Sequence, residues 1–323
     1  ARGGVGSKAV ATKDADFTEH LFSATMHNYL LIFTEFGKVY WLKVYAIPEG
    51  GKTAKGRAIQ NLIAIDKDDK VSAVINVKSL SDEDYINNNY LIMCTEDGTI
   101  KKTTLEAYSR PREAGIIAIS INEGDRLLDV ALTSGNDHIV LAARSGLAIR
   151  FEEARVRPMG RTAAGVRGML LADDEDRLVG MVCIKSPDAH LLVVSACGYG
   201  KRSSIEDYRV TNRGGKGVRT INVTEKTGKL VAIKQVTDAD DLMIINKSGI
   251  AIRQSVANLR VMGRNTQGVK LIRIQDGDAI GSVAKIERLE GEEEATNGLQ
   301  TALPLGELSL NGADTNAEEV TAE

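Results

Sequence analysis

The amino-acid sequence predicts an all-β fold: a six-bladed, propeller-like ring of four-stranded blades, with the first blade truncated at the N-terminus. Two observations support this prediction. An apolar run, a polar turn containing glycine and a second strand recur as YLLIFTEFGKVYW, YLIMCTEDGTIKK, HIVLAARSGLAIR, HLLVVSACGYGKR and DLMIINKSGIAIR. Each copy is followed by an alternating segment, a turn and another apolar strand, so a unit of about 50 residues carries the four short strands of a propeller blade.

Two glycines at fixed positions set the register of the repeat. The turn glycines of the five copies are Gly37, Gly98, Gly146, Gly198 and Gly249. A second glycine follows 17 or 19 residues later in every copy, at Gly56, Gly115, Gly165, Gly217 and Gly268. Regular spacing of turn signals between short apolar runs favours an all-β array with little helix.

The N-terminal residues fit the same register. Gly6 precedes the turn glycine Gly37 by 31 residues, and the corresponding later distances are 42, 31, 33 and 32. Residues 1–25 are therefore predicted to be the back half of a sixth blade, whose sheet edge is exposed where a hairpin would pair. The predicted domain spans residues 1–286, as this partial blade followed by five repeats of about 50 residues.

Charge is distributed unevenly along the chain. The 323 residues have a formal net charge of −3, but residues 287–323 contain ten acidic residues and one basic residue. Residues 1–286 are left with a net charge of +6. A basic domain suggests a polyanionic partner. The acidic tail, 287–323, is rich in Gly, Asn, Thr, Ala and Glu and is expected to be disordered.

Basic residues recur at two fixed positions of the repeat. Four residues before each second glycine stand Arg2, Lys52, Pro111, Arg161, Arg213 and Arg264, with Arg110 and Arg112 flanking the one exception. Four residues after each turn glycine stand Trp41, Lys102, Arg150, Arg202 and Arg253. Equivalent positions of a propeller lie on a circle, so these residues, with the neighbouring Lys55 and Arg57, predict a basic girdle. Arg and Lys are common on exposed loops, but recurrence in register favours phosphate binding.

Several function classes find no support in the sequence. No apolar stretch approaches the ~18 residues of a membrane span, so a cytoplasmic protein without a membrane partner is expected. Three cysteines and four histidines without ligand spacing predict no metal site. The acidic runs at residues 66–69 and 173–176 lack the glycine and glutamate of a calcium loop and are interpreted as hairpin turns. No carboxylate pair, nucleophile elbow or phosphate-binding loop indicates catalysis within the blades.

Five segments of the repeat carry a family resemblance. They are GKVYWLKVYAIPEGGKTAKGRAIQNL, SRPREAGIIAI, RPMGRTAAGVRGM, GYGKRSSIEDY and VMGRNTQGVKLIR. Together they resemble the C-terminal domain of the bacterial DNA gyrase A subunit, and the resemblance covers residues 1–286. It implies a six-bladed β-pinwheel that binds duplex DNA without sequence preference and wraps it around a basic rim. The wrapped DNA would be presented to the gyrase catalytic core for ATP-dependent negative supercoiling.

The family's characteristic box, Q-R-R-G-G-K-G, has two counterparts in this chain. The first, by position in the first blade, is formed by Arg2, Gly3, Gly4 and Gly6, with Ala1 and Val5 in place of an Arg and the Lys. The second, closer in sequence but in the fourth complete repeat, is formed by Arg213, Gly214, Gly215, Lys216 and Gly217. Paired glycines let the backbone approach a phosphate, and Arg, Lys and successive amides can surround an anion. Both copies remain candidates.

The resemblance also implies partners. The domain would act with the gyrase A catalytic core and the gyrase B subunit in an A2B2 holoenzyme, a type IIA DNA topoisomerase associated with the bacterial nucleoid. ATP and Mg would belong to the B subunit, and no cofactor is expected in this fragment. The fragment is expected to be non-catalytic, since no arginine–tyrosine motif of the breakage-reunion domain surrounds any of its eight tyrosines. Two alternatives stay open: the C-terminal domain of a topoisomerase IV subunit, and a propeller that serves as a protein-interaction adaptor.

Overall fold

The fold is built almost entirely from short antiparallel strands. The computed structural model describes residues 24–49, 57–185, 188–248, 250–275 and 277–287. The strands in chain order are β1 (Tyr29–Thr34), β2 (Lys38–Lys43), β3 (Val71–Val77), β4 (Tyr90–Thr95), β5 (Thr99–Thr104), β6 (Ile116–Ile117), β7 (Leu127–Thr133), β8 (His138–Ala143), β9 (Leu147–Glu152), β10 (Val166–Arg167), β11 (Leu178–Ile184), β12 (His190–Ser195), β13 (Tyr199–Ser204), β14 (Val218–Arg219), β15 (Leu230–Val236), β16 (Asp240–Asn246), β17 (Ala251–Ser255), β18 (Val269–Lys270) and β19 (Ile280–Glu287). The other described elements are the helix α1 (Glu83–Asn88) and the 3-10 turns Val44–Ala46, Ile59–Asn61, Leu105–Tyr108, Glu153–Arg155, Ile205–Asp207 and Val256–Asn258. None of the described helices is long and apolar enough to cross a membrane.

Five sheets are arranged around one axis. Their strand orders are β3-β1-β2-β6, β7-β4-β5-β10, β11-β8-β9-β14, β15-β12-β13-β18 and β19-β16-β17. The first strand in each order contacts its counterpart in the next sheet, from β3 through β7, β11 and β15 to β19. These five axial strands therefore line the axis, and the two-residue rim strands β6, β10, β14 and β18 lie at the outer edge. The all-β, propeller-like part of the prediction agrees with this architecture.

The rim strand of each four-stranded blade comes from the following repeat. β6 follows β5 in the chain, yet it pairs with β2 of the preceding blade, with Val39 opposite Ile116. The same exchange joins β10 to β5, β14 to β9 and β18 to β13. The sequence assigned all four strands of a blade to one repeat, because a two-residue strand has no periodicity that identifies its partner. Neighbouring blades are thus joined by backbone hydrogen bonds at the rim as well as by packing.

The hydrophobic core lies in the seams between neighbouring blades. In β4, Leu91 and Met93 pack against the first blade. Ile92 and Cys94 of the same strand pack against the third blade. Successive side chains of a strand point to opposite faces, so a strand that packs against a blade on each side needs an uninterrupted apolar run. β12 has the same division between the third and fifth blades.

The described residues form five blades, so the prediction of six is wrong. A four-stranded blade needs a hairpin from one repeat and a rim strand from the next. Residues 57–58 follow the second glycine of the first repeat, but they form no strand, and the chain then enters the 3-10 turn Ile59–Asn61. Ile63 and Ile65 instead cover the face of the first blade that is turned away from the second blade. Residues 1–23, which carry most of the predicted partial blade, and the tail 288–323 lie outside the described residues.

A glycine in the left-handed region stands where the chain enters each of the four rim strands. Gly217 has φ +77°, and a Cβ atom there would lie 2.2 Å from the carbonyl oxygen of Ala148. Gly268 repeats this geometry, with φ +79° and a Cβ position 2.5 Å from Gly200 O. Glycine alone combines left-handed backbone with so close an approach of the neighbouring strand. At these four described positions the recurring glycine is therefore a mark of the strand exchange.

Replacing Gly217 by alanine is expected to detach the rim strand β14. The new Cβ atom would collide with a carbonyl that cannot retreat without breaking the pairing of β14 with β9, so we expect a loss of about 3 kcal/mol in the free energy of unfolding. Gly124→Ala is the matched control, because Gly124 has φ +80° but no atom within 4 Å of its Cβ position. Backbone strain alone should cost that variant about 1 kcal/mol. Equal losses on chemical denaturation would contradict the collision.

Candidate nucleic-acid interface

Four loops along the outer edge carry six of the predicted basic residues. Each runs from the 3-10 turn of one blade to the rim strand that completes the preceding blade. These rim loops are residues 109–115, 156–165, 208–217 and 259–268. Backbone N–H groups join the last three of these loops to the segment beside each: Ser120 N to Ala163 O at 3.4 Å, Gly214 N to Gly168 O at 2.7 Å and Asn222 N to Thr266 O at 3.3 Å. The rim is therefore a connected belt.

The arginine four residues before the second glycine is docked on the backbone of its neighbour. Arg213 Nε donates to Arg155 O at 3.1 Å, and Arg213 Nη1 donates to Arg167 O at 3.0 Å. The equivalent acceptors are Asp207 O at 3.1 Å and Arg219 O at 3.0 Å for Arg264, and Ile117 O at 3.3 Å for Arg161. A guanidinium has five N–H donors. Each of these partly exposed side chains thus keeps donors for a ligand while its position is fixed.

The box candidate in the fourth complete repeat forms part of this belt. Gly214 has φ +82°, and its amide is already bonded to Gly168 O. Arg213 uses two of its donors within the protein, whereas Lys216 is exposed. The element thus offers a fixed arginine and an exposed lysine, but the Gly214 amide points to its neighbour. The first box candidate, Arg2, Gly3, Gly4 and Gly6, lies outside the described residues.

The position four residues after the turn glycine faces a seam between blades rather than the rim. It lies in the second strand of the hairpin, and its side chain reaches the 3-10 turn of the next blade. The donor–acceptor pairs are Trp41 Nε1 with Tyr108 O at 2.9 Å, Arg150 Nη1 with Ile205 O at 2.9 Å, and Arg202 Nε with Leu259 O. A tryptophan and two arginines fill the same role, so this position requires an N–H donor and not a positive charge.

Lys102 is the clearest correction to the predicted girdle. It is 4% exposed, and its Nζ lies 3.0 Å from Glu153 Oε1 and 4.2 Å from the ring centroid of Tyr90. Glu153 is fully buried and accepts a hydrogen bond from Thr133 Oγ1 at 2.7 Å. Two buried charges of opposite sign compensate each other only as a pair. Lys102, Arg150 and Arg202 are therefore seam contacts that hold neighbouring blades together.

The remaining predicted residues divide by exposure. Arg57, Arg110 and Arg112 are exposed. Arg253 forms an ion pair with Asp241 at 2.7 Å and keeps 44% of its side chain exposed. Lys52 and Lys55 lie outside the described residues, so their role stays a prediction.

Two further basic positions recur at the rim and were missed in the sequence. Exposed arginines stand eight residues before the second glycine, at Arg157, Arg209 and Arg260. The second residue of each rim strand is also exposed, and it is Ile117, Arg167, Arg219 or Lys270. Both positions keep a constant distance from the second glycine. A search of every position in the repeat, rather than of two, would have found them.

Two lysines lie buried beneath the rim loops. Lys101 is fully buried, and its Nζ donates to Ala118 O at 2.6 Å and also to Arg161 O. Lys201 is 1% exposed and donates to Gly263 O at 2.6 Å. Burial, followed by repulsion from Arg161, lowers the pKa of Lys101 to about 7. Burial also lowers the pKa of Lys201 to about 8. These amines support the loops from inside and are too buried to contact a ligand.

Comparison with known proteins matches this chain to one family and to the subunits of one enzyme. The chain matches the family described as "DNA gyrase C-terminal domain, beta-propeller" over residues 28–78, 89–134, 137–185, 189–237 and 240–287. It is 41% identical to the DNA gyrase A subunit of Chlamydia pneumoniae over 288 residues and 42% identical to that of Salmonella typhimurium over 293 residues. The alignments cover 88% and 90% of this chain but 34% and 33% of those relatives. The chain thus spans about a third of their length.

Solved structures share the fold. A C-terminal domain of DNA topoisomerase IV matches with a TM-score of 0.76 and 25% identity, covering 86% of this chain and 84% of that chain. A DNA gyrase A C-terminal domain matches with a TM-score of 0.68 and 25% identity, covering 81% and 83%. The E. coli ParC C-terminal domain, at 14% identity and a TM-score of 0.57, shows the fold alone.

Removing the charge of Lys102 is expected to destabilise the fold. Lys102→Met would leave Glu153 buried without its partner, which should lower the free energy of unfolding by about 3 kcal/mol. Arg157→Met removes the same charge from an exposed rim position and should change stability by less than about 0.5 kcal/mol. Denaturant unfolding of both variants measures the difference. The double variant Lys102→Met/Glu153→Gln should recover part of the loss; a double variant no more stable than Lys102→Met would argue against the ion pair.

The buried lysines make stability depend on pH. The pKa of Lys101 falls from 10.5 to about 7 on folding, so between these values the unfolded chain binds more protons. The free energy of unfolding should therefore rise as pH rises from 7 toward 10, by at most about 1.4 kcal/mol per pH unit for this lysine. The measurement is the stability of the wild type minus that of Lys101→Met at pH 7 and pH 9. A difference that does not grow with pH would mean that the buried amine keeps its proton.

Proposed function

The chain belongs to the DNA gyrase C-terminal domain family, and we propose that it binds duplex DNA without sequence preference and wraps it around the rim of its blades. The observation that carries this proposal is the belt of rim loops, in which docked and exposed basic residues recur from blade to blade. A curved row of positive charge suits a bent polyanion. Contacts from Arg and Lys to phosphate carry no sequence information, in keeping with binding that does not select a sequence.

The docked arginines favour tight phosphate contacts. Arg213 and Arg264 are each held by two backbone carbonyls, so little side-chain entropy remains to be lost on binding. Their remaining N–H donors can bond phosphate oxygens, and a charged pair of this kind is stronger than a neutral hydrogen bond. The exposed arginines and lysines beside them add charge that is free to follow the duplex.

The proposed interface combines the predicted residues that remain exposed with the two positions recognised from the structure. It consists of Arg57, Arg110, Arg112, Arg157, Arg161, Arg167, Arg209, Arg213, Lys216, Arg219, Arg253, Arg260, Arg264 and Lys270. Bending a duplex around a ring costs on the order of several kcal/mol per 20–30 base pairs. Each neutralised phosphate changes the slope of log K against log salt by about −0.9, and six contacts would give a slope of about −5. Counterion release on that scale can offset the bending.

We further propose that the domain acts as part of a gyrase holoenzyme. The relatives it matches are DNA gyrase A subunits three times its length, so the wrapped DNA would pass to the catalytic core in the remainder of such a subunit. By the family resemblance, the wrap is positive in sense, and the gyrase B subunit in an A2B2 assembly supplies the ATP and Mg sites for negative supercoiling. In this proposal the domain contributes DNA binding and geometry but no cofactor.

A topoisomerase IV C-terminal domain is the second candidate. The TM-score of 0.76 with a domain of that enzyme favours it, whereas the 41% and 42% identities with gyrase A subunits favour the first. The two candidates differ in what they do to DNA. A gyrase domain should wrap the duplex with one handedness, and the alternative should bind or bend it without a fixed sense.

The topology of bound DNA distinguishes these candidates. The chain is bound to relaxed circular plasmid at low salt, a nicking-closing topoisomerase is added, the protein is removed, and the linking number is measured. We expect a positive shift. Binding without a shift would favour the topoisomerase IV candidate, and no salt-dependent binding to random-sequence duplex would favour a protein-interaction adaptor. The triple variant Arg157→Ala/Arg209→Ala/Arg260→Ala should lose the shift and reduce the magnitude of the salt slope by about 2.7.

A matched control for that variant removes three charges elsewhere. Lys67, Lys229 and Lys247 are exposed and lie outside the rim loops. Their replacement by alanine takes away the same total charge but no proposed phosphate contact. It should leave the linking-number shift in place and change the salt slope by less than about 1. Equal effects of the two triple variants would mean that overall charge, not the rim, determines binding.

A charge added at Ile117 should strengthen DNA binding. Ile117 is 50% exposed on β6, at the position that carries Arg167, Arg219 and Lys270 in the other rim strands. Ile117→Arg should add one phosphate contact, which makes the salt slope steeper by about 0.9 and raises affinity at low salt. Ile117→Gln is the control for loss of the apolar side chain. The absence of a gain from arginine over glutamine would place the duplex away from β6.

A further inference from the structure

An open cavity at the axis of the ring is lined by lysines from three blades. Its volume is about 480 Å³, within the range of small-molecule sites. Lys185 follows β11, Lys234 lies in β15 and Lys285 lies in β19, and all three line the cavity. Apolar side chains of the first three blades form the rest of the wall, together with the amide side chains of Asn76 and Gln235. The described wall of this cavity includes no Asp or Glu.

These lysines are separate from the proposed DNA interface. They belong to or directly follow axial strands, whereas the interface lies at the rim strands, on the far edge of each sheet. With strands about 4.8 Å apart, the three spacings between the two edges amount to about 14 Å. A duplex on the rim therefore cannot reach the axial lysines, and DNA binding leaves their function unexplained.

The carboxylates near these lysines are recessed behind the cavity wall. Lys285 Nζ lies 3.8 Å from Asp240 Oδ1, but the Lys285 side chain is 36% exposed and that of Asp240 only 5%. Asp129 in β7 is also recessed: burial raises its pKa to about 6, and nearby Lys234 partly opposes that rise. Burial likewise raises the pKa of Asp137, which Lys185 partly opposes. A solute that enters the cavity therefore meets ammonium groups first.

The lysines do not follow from the repeat. In the first two blades the position of Lys234 is held by Ile75 and Ala131, and that of Lys285 by Asn76 and Leu132. Ammonium groups placed together in one cavity repel each other, and an anion removes that cost. A ligand with several negative charges can contact more than one lysine at once and neutralises more of their combined charge than a monovalent anion does.

We propose that the axial cavity binds a small molecule that carries two or more linked phosphate groups. Lys185, Lys234 and Lys285 bind the phosphate oxygens, and the apolar wall of the first three blades accommodates any non-phosphate part. The Gln235 side chain, which also lines the cavity, can donate a further hydrogen bond. The site is independent of the rim, so it can be occupied with or without DNA.

Calorimetric titration of the full 323-residue chain with inorganic pyrophosphate tests this proposal. We expect one saturable site per chain, and Lys234→Gln should raise the Kd at least tenfold. Lys229→Gln is the matched control, since Lys229 directly precedes β15 and is exposed outside the cavity. Lys216→Gln is the control for phosphate binding at the rim. Both control variants should keep the wild-type Kd within about twofold.

Further measurements identify the class of ligand and can disprove the proposed site. ADP that competes with pyrophosphate and binds more tightly would support a nucleotide, with its base against the apolar wall; equal affinities would support recognition of the linked phosphates alone. Lys234→Gln is expected to keep the wild-type unfolding midpoint, because its side chain is exposed. No saturable pyrophosphate binding at millimolar concentration, or an equal loss in Lys234→Gln and Lys216→Gln, would overturn the proposal.

Discussion

The architecture of the rim depends on one constraint: each rim strand pairs with the blade before its own. The chain must therefore leave the 3-10 turn of one blade, cross the seam and enter β6, β10, β14 or β18 from outside. Left-handed glycines such as Gly217 and Gly268 make the last step possible, because no Cβ fits beside the neighbouring carbonyl. The crossing also places a loop of seven to ten residues on the outer surface of every seam. Exposed loops carried by a rigid scaffold are where binding residues commonly lie.

The same crossing exposes backbone carbonyls that need donors. Carbonyls at the ends of the 3-10 turns and rim strands lack partners within a sheet, and an unpaired buried carbonyl is costly. Long side chains with several N–H groups meet that need, as Arg202 does inside the seam and Arg213 does at the rim. Positive charge thus accumulates along the seams for structural reasons. Where such a side chain stays partly exposed, the donors that remain give the rim its capacity to bind phosphate.

The sequence predicted the repeat, the all-β ring and the location of its turns, because glycine spacing and apolar runs directly reflect strands and turns. It overcounted the blades because Gly6 has the register of a second glycine, whereas a blade also requires a hairpin for the rim strand to pair with. It could not separate Lys102 from Arg161, since both are basic and in register. Trp41, which occupies the position of Lys102 in the first repeat, could have separated them. An uncharged donor at that position indicates a hydrogen bond within the protein rather than a phosphate contact.

The rim is not uniform, and this bears on how a duplex would leave it. In the second repeat the second glycine follows the turn glycine by 17 residues instead of 19. The shorter loop, 109–115, has no counterpart of Arg157, Arg209 or Arg260. Its rim strand exposes Ile117, where the other rim strands expose an arginine or a lysine. Bending costs the same per base pair along a smooth curve, but each missing contact reduces the counterion release that offsets it. Arg110 and Arg112 are the basic residues of this loop, against three or four along each later seam with its rim strand. Under the proposed wrapping, the balance is therefore least favourable between the first two blades, and we infer that the duplex detaches there first.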